Sequence, residues 1–395
     1  MSVAATAALR TWITPGNPVL LALVAIATLF GTTGGFLAVA PNRLLSGAPV
    51  ALTSCVPSPL IGTLAALAVL LLVLGFAPPS RAVHYLAAAF AGAVLAATLA
   101  AAGRAAAGLA AGAKSATAIS LAAGFWVVFA CAALALIDAL RRAAAGTTVQ
   151  LAVAALAAGM FIAMAQAGLL DALSLAREYA VRREVFAAAV VRHIALVVAA
   201  IVPAILIGVP LGVLALRRKR FEGPLFAVLN LLQTVPSIAL FGLLLGPLAA
   251  MATAVPVLGA LGVGGVGPAP AVIALTLYAL LPVARNTLAG IGGVPPGVID
   301  AARGMGMTQA QIFRRVEVPL ALPVLLAGLR IVLVQTIGLT VVAALIGAGG
   351  LGRFVFDGLG QYATDLVLLG ALPAIVMALA ADFLLRLATS GLGRR

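Results

Sequence analysis

Long apolar runs separated by short polar breaks fill this chain from Pro18 onward. A membrane-crossing helix needs about 20 predominantly apolar residues, and ten stretches meet or approach that length. In the first half they are Pro18 to Ala40, Pro59 to Ala77, Val83 to Gly103, Ile119 to Leu140 and Thr148 to Leu170. In the second half they are His193 to Leu216, Pro224 to Leu248, Pro270 to Gly290, Ala321 to Ile346 and Asp365 to Leu387. The pattern predicts an all-α integral membrane protein of about ten transmembrane helices. Two connections break the rhythm. Residues 171–192 mix charged and apolar positions at helical spacing, which suits an interfacial helix on the outer face or a solvated connector. Residues 251–270 are rich in Gly and Pro and read as an outer loop or a re-entrant segment, since irregular backbone is tolerated at a membrane only in a loop or inside protein.

Composition agrees with that reading. Hydrophobic residues make up 64% of the chain and charged residues 9%, against roughly 25% charged in soluble domains, so most of the surface must face lipid. The net charge of +14 does not point to nucleic acid, because the basic residues are scattered between apolar runs instead of clustering on one patch. They set orientation instead. Ten spans put both termini on one face, and an N-inside topology collects fifteen Lys and Arg inside, Arg217-Arg218-Lys219-Arg220 among them, against eight outside. That predicts a multi-pass protein of the bacterial inner (cytoplasmic) membrane with both termini cytoplasmic. Arg10 before an apolar run ending in Ala38-Val39-Ala40 has the look of a cleavable signal, yet the run exceeds the 7–15 residues of such a segment and is read as a retained span. Cys55 and Cys131 belong to no CxxC or Cys/His cluster, so no metal is expected.

The most informative segment is the inner loop 292–319, GGVPPGVIDAARGMGMTQAQIFRRVEVP, which reads as two helices and an elbow. Pro296 presets φ for a first helical turn. Val298, Ala301 and Met305 then fall at i, i+3 and i+7 on one apolar stripe. Gly304 and Gly306 are placed to end that helix. Thr308 and Gln311 form a T-x-x-Q capping box for the next one, and Pro319 is expected to close it near the membrane surface. A short amphipathic helix on such an elbow either docks in a partner groove or lies on lipid.

The segment resembles the EAA loop of binding-protein-dependent ABC importer permeases, whose pattern is E-A-A, three residues, Gly, nine residues, then I-x-L-P. Here Asp300-Ala301-Ala302 stands for E-A-A, Gly306 keeps its offset, and Val316-Glu317-Val318-Pro319 stands for I-x-L-P. The stretches 230–237 (NLLQTVPS), 281–287 (LPVARNT) and 347–352 (GAGGLG) resemble the osmoprotectant branch of that family, which imports glycine betaine, choline and related quaternary amines. Pro41-Asn42-Arg43-Leu44 and Arg177-Glu178-Tyr179-Ala180 resemble its longer Yeh-type members. The resemblance implies an N-terminal accessory bundle of five spans (1–170), an outer connector helix (171–192) and a five-span core of the methionine-importer-like fold (193–395). It also implies that Val298, Asp300, Ala301, Ala302, Met305, Gly306, Met307, Thr308, Gln311, Val316 and Pro319 couple the chain to a cytoplasmic ATPase. Further implied partners are a periplasmic or lipid-anchored substrate-binding protein and a second permease copy or homologous permease subunit. Gln233, Pro236, Pro282, Asn286 and Gly338 are assigned to the translocation path, where the prolines and glycine can loosen helices.

No cofactor is expected in the chain itself, and ATP would be bound by the partner. Gly112-Ala113-Lys114-Ser115 comes nearest to a Walker A loop and fails, because an alanine separates glycine from lysine. The chain is therefore read as a transport subunit and not an enzyme. A proton- or sodium-coupled secondary transporter is the alternative class; it would place ionisable residues within its spans. The candidates are Asp138 and Asp382 near inner span ends and Asp365 near an outer end, none at a midplane beside a partner. A quaternary ammonium group is normally read by an aromatic cage, yet aromatics are only 5% of the chain and are not expected to cluster, which assigns recognition to the separate binding protein. His193 opens the first core span and reads as structural.

Overall fold

A computed structural model describes residues 16–42, 45, 47–114, 116–260 and 262–392. Arg10, Arg43, Leu44, Ser115, Arg394 and Arg395, which entered the arguments above, lie outside the described residues. The chain divides into two compact units, one of residues up to Val181 together with 361–365, the other of 182–360 and 366 onward. Nine helices among the described residues are long and apolar enough to cross a membrane, and a tenth, Pro18–Thr33, is apolar but only 16 residues long.

The first unit holds α1 (Pro18–Thr33), β1 (Gly35–Ala40), β2 (Ala48–Ala51), α2 (Leu52–Cys55), α3 (Ser58–Phe76), α4 (Arg81–Ala111), β3 (Ala118–Leu121), α5 (Ala123–Arg142), α6 (Thr147–Gln166) and α7 (Ser174–Val181). Helix α1 starts where Asn17 caps it, accepting from Leu20 N at 3.1 Å and donating to Asp138 at 2.9 Å, which satisfies an otherwise orphaned donor. The expected span from Pro18 to Ala40 is not one helix. It stops at Thr33 because Gly34 turns extended, and a Cβ there would run into Phe30 O and, at 3.3 Å, into Gly124 Cα. The next residues form the central strand of a small antiparallel sheet of order β2-β1-β3. That sheet was not foreseen; it also takes residues 118–121, the start of the expected fourth span, as β3. Phe36, Leu37, Ile119 and Phe125 pack in the core beneath it with alanines of α4.

The second unit holds α8 (Arg183–Arg217), α9 (Lys219–Thr234), α10 (Ser237–Ala254), α11 (Pro256–Ala260), α12 (Pro268–Gly292), α13 (Pro296–Gly304), α14 (Gln309–Ile312), a π-helical turn (Phe313–Glu317), α15 (Val318–Val342), a 3-10 turn (Ala343–Ile346), α16 (Gly352–Gly360) and most of α17 (Thr364–Leu392). Helix α12 is its centre, with α8, α9, α10 and α15 packed around it. Gly208 and Gly212 of α8 form a G-x-x-x-G pair, the spacing that lets helix backbones approach in lipid. A Cβ on Gly212 would come within 2.6 Å of Ala284 O and 2.7 Å of Thr287 Cβ on α12. The connector read over 171–192 is not one helix: α7 ends at Val181, and residues from Arg183 are already the first turns of α8. The expected span from Pro224 to Leu248 is broken at Val235-Pro236 into α9 and α10, since Pro236 has no N–H to continue the ladder. The expected loop 251–270 is helical through Ala254 and again over α11.

Candidate functional site

The elbow 292–319 forms from the signals in its sequence. Helix α13 begins with Pro296 in its first turn and ends at Gly304, and Gly306 takes the left-handed conformation at φ +80°. Met307 N bonds Ala302 O at 3.2 Å and Gly306 N bonds Arg303 O at 2.9 Å, the paired bonds of a Schellman stop. Gly306 is therefore the stop, and Gly304 is the last helical residue. The capping box is complete: Thr308 N donates to Gln311 Oε1 at 2.8 Å and Gln311 N to Thr308 Oγ1 at 3.4 Å. Pro319 does not close the second helix. The chain runs from α14 through the π turn into α15, and the helix continues through Pro319.

Burial sorts the side chains of the elbow. Ala302 (1% exposed) and Ile312 (0%) are its buried anchors. Val298 (41%), Ala301 and Met305 (76%) are exposed together, so the apolar stripe has no partner among the described residues. Asp300 is exposed and pairs with Arg303 at 3.0 Å; Thr308 and Gln311 are exposed, and Met307 and Val316 half-buried.

Sequence reasoning missed the group that fastens the elbow. Glu317, at the unspecified position of the I-x-L-P pattern, is 2% exposed and paired with Arg217 at the C-terminal end of α8. Arg217 had been read only as part of a topology signal. The usable cue was an acid between apolar residues in a chain with ten acidic residues in all. The π turn matters here, because an extra residue per turn re-aims side chains and such turns gather at functional sites.

The five path residues are only partly brought together. Gln233 donates to Tyr278 O at 2.8 Å, and the Tyr278 hydroxyl donates to Val235 O, the carbonyl freed by the break at Pro236. Asn286 bonds Pro282 O one turn back at 2.7 Å and packs against Gly328 of α15. Gly338 stands apart on an exposed face where a Cβ would meet nothing. His193 is fully buried, its Nε2 3.2 Å from Ile337 O and its ring against Gly350, one of three left-handed glycines in the 347–352 loop.

Three expectations are corrected here. Asp382 does have charged partners: Arg330, near the middle of α15, pairs with it at 3.1 Å, and Arg386 pairs at 2.5 Å. Asp365, at the start of α17, also has a partner: it is 7% exposed and accepts from Ser120 at 2.5 Å within the first unit. Aromatics do cluster, with Phe36, Phe125, Trp126 and Phe129 at ring-centroid distances of 5.2 to 6.4 Å. Phe36 and Phe125 are fully buried by their neighbours, so the rings pack on one another as core.

Residues 16–176 match the family described as ABC transporter permease YehY, N-terminal domain, and residues 204–394 match the binding-protein-dependent transport system inner membrane component. The osmoprotectant import permease protein OsmW of Salmonella typhimurium is 43% identical over 49% of this chain and 85% of its own length. The choline transport system permease protein OpuBB of Bacillus subtilis is 38% identical over 50% of this chain and 83% of its own. Among solved structures, an inward-facing MetNI methionine ABC transporter gives a TM-score of 0.45 at 24% identity, covering 53% of this chain and 97% of that one.

Proposed function

This chain belongs to the binding-protein-dependent ABC importer permeases, and from that premise we propose that it is the membrane subunit through which quaternary ammonium osmoprotectants such as glycine betaine or choline enter the cell. Relatives named for osmoprotectant and choline import support that substrate class. Both termini and the elbow lie on the cytoplasmic side, in keeping with the excess of basic residues there. The observation that carries the mechanism is the elbow itself, a capped and glycine-stopped pair of helices whose stripe of Val298, Ala301 and Met305 is left uncovered. That stripe docks in a groove of a cytoplasmic ATPase subunit, which binds the ATP.

When two ATPase subunits close on nucleotide, the elbow moves with them. Its buried Ala302 and Ile312 keep it rigid, and Glu317 passes the displacement to α8 through Arg217. A change between inward- and outward-facing states follows only if the ATPase contacts differ between the two. The break at Val235-Pro236, spanned by Tyr278 and Gln233, gives α9 and α10 freedom to move separately. Substrate selection falls to a binding protein on the outer side, because the rings that cluster among the described residues stack on one another around buried Phe36 and Phe125. A gradient-coupled mechanism finds no support in those relatives, which are named as import or transport-system permeases.

Proteoliposomes holding this chain with its ATPase and binding protein test the reading. Uptake of labelled glycine betaine or choline should require internal-face ATP and the binding protein. Uptake driven by a proton or sodium gradient without ATP would contradict it.

A further inference from the structure

The first unit has a half-open pocket of about 170 Å³ between α1, α3, α4 and α5. Its floor is made of buried Val24, Leu71, Val94, Val128, Cys131 and Ala132. Its mouth is marked by exposed Thr28 and Thr32 of α1 and Ala65 of α3. Both threonine hydroxyls are spent on their own helix, Thr28 Oγ1 on Val24 O at 2.8 Å and Thr32 Oγ1 on Thr28 O at 2.8 Å. A water molecule needs two to four polar partners to stay ordered in a pocket, so an apolar lining disfavours water and admits apolar groups. Here the one remaining polar atom of the lining side chains is the weakly bonding Cys131 thiol.

What meets the mouth is set by the surface around it. Leu29, Phe30, Val69 and Leu70 are exposed apolar residues on α1 and α3, at 41% to 58% exposure, in helices whose natural solvent is lipid. We propose that this cavity is a binding site for a hydrocarbon chain, occupied by one acyl chain of a bilayer lipid entering between α1 and α3. The driving force is contact, because a vacant pocket leaves its lining atoms without dispersion partners, whereas lipid solvation alone gives helices no hydrophobic gain. The shortness of α1 and the alanines at positions 27, 65, 68, 132 and 135 create the room. This site stands independently of the transport reading.

The test uses the full-length chain in nanodiscs containing a phospholipid with a diazirine midway along one acyl chain, followed by irradiation, digestion and mass spectrometry. Adducts are expected on floor residues of α1 and α5, Cys131 included, in addition to those on exposed Leu29 and Val73. Ala132→Phe fills the floor, and Ala68→Leu narrows the pocket from α3. Each should reduce floor adducts to background and leave those at Leu29 and Val73 unchanged. A wild-type map with adducts confined to exposed residues would overturn the proposal and mean that the cavity is vacant. So would floor adducts that persist in a folded variant of either kind. The wild-type map decides the matter even if both variants fail to fold.

Discussion

Replacing Arg217 by alanine removes the guanidinium facing Glu317, whose side chain is 2% exposed while that of Arg217 is 43% exposed. Breaking a buried pair by deleting one partner costs about 3–5 kcal/mol, because the remaining charge is left uncompensated. Half-exposure of Arg217 lets water enter where the guanidinium stood, which argues for the low end, about 3 kcal/mol. For a unit of this size each kcal/mol moves the midpoint by about 2–4 °C, so thermal unfolding of the purified chain should fall by about 6–12 °C. Glu317→Gln is milder, since it leaves a cation that water can hydrate and removes the buried charge. The double variant Arg217→Ala/Glu317→Gln should recover most of the stability lost by Arg217→Ala alone, a coupling that a double-mutant cycle reads directly. It should not recover uptake in proteoliposomes, because the link from elbow to α8 is still missing. If the double variant loses the sum of the two single effects, the pair has no coupling energy and the reasoning is refuted.

Other substitutions separate parts of the account. Gly306→Val places a β-branched residue at φ +80°, where L residues pay about 1–2 kcal/mol; uptake should be lost with membrane insertion unchanged. Gly306→Asn should keep most of it, because a Cβ there meets no neighbour and asparagine tolerates that conformation. Thr308→Ala deletes one arm of the capping box and should lower unfolding stability by about 1 kcal/mol, measured by the shift in thermal midpoint. Gly212→Val drives a side chain into Ala284 and Thr287 on α12; reduced yield of folded protein by size exclusion is expected, and a normal profile would mean that close packing of α8 on α12 is dispensable. Tyr278→Phe leaves Val235 O without its donor and should cost about 1–3 kcal/mol of stability, with uptake measured alongside.

Much of the membrane topography was legible because apolar length is a coarse signal that survives local error. All ten apolar stretches contain a helix, and those over α3, α6 and α12 lie within a few residues of their expected ends. The errors fall where backbone geometry overrides composition. The stretch after Thr33 is as apolar as α1, yet Gly34-Gly35 and the hydrogen-bonding partners offered by residues 48–51 and 118–121 turn it into a strand. Nothing local in 35–40 announces a partner as distant in sequence as β3. The elbow was readable in detail because its devices are local: a proline, a left-handed glycine and a T-x-x-Q box each act within a few residues. The Arg217–Glu317 pair was not readable, since its members are far apart in sequence and meet only once α8 and the π turn are packed. Arg330 and Asp382 escaped for the same reason, with one hidden inside α15 and the other credited to a span end.

Capture of the elbow by an ATPase subunit is the claim on which transport rests, and a single cysteine can report on it. In a Cys55→Ser/Cys131→Ser background, Val298→Cys supplies one thiol on the exposed stripe of α13. Its labelling by a membrane-impermeant maleimide should be fast in the isolated chain and suppressed when the ATPase subunit is bound, and a short bifunctional reagent should join the two polypeptides there. Equal labelling with and without a bound, intact ATPase subunit, and no joined product, would contradict the account.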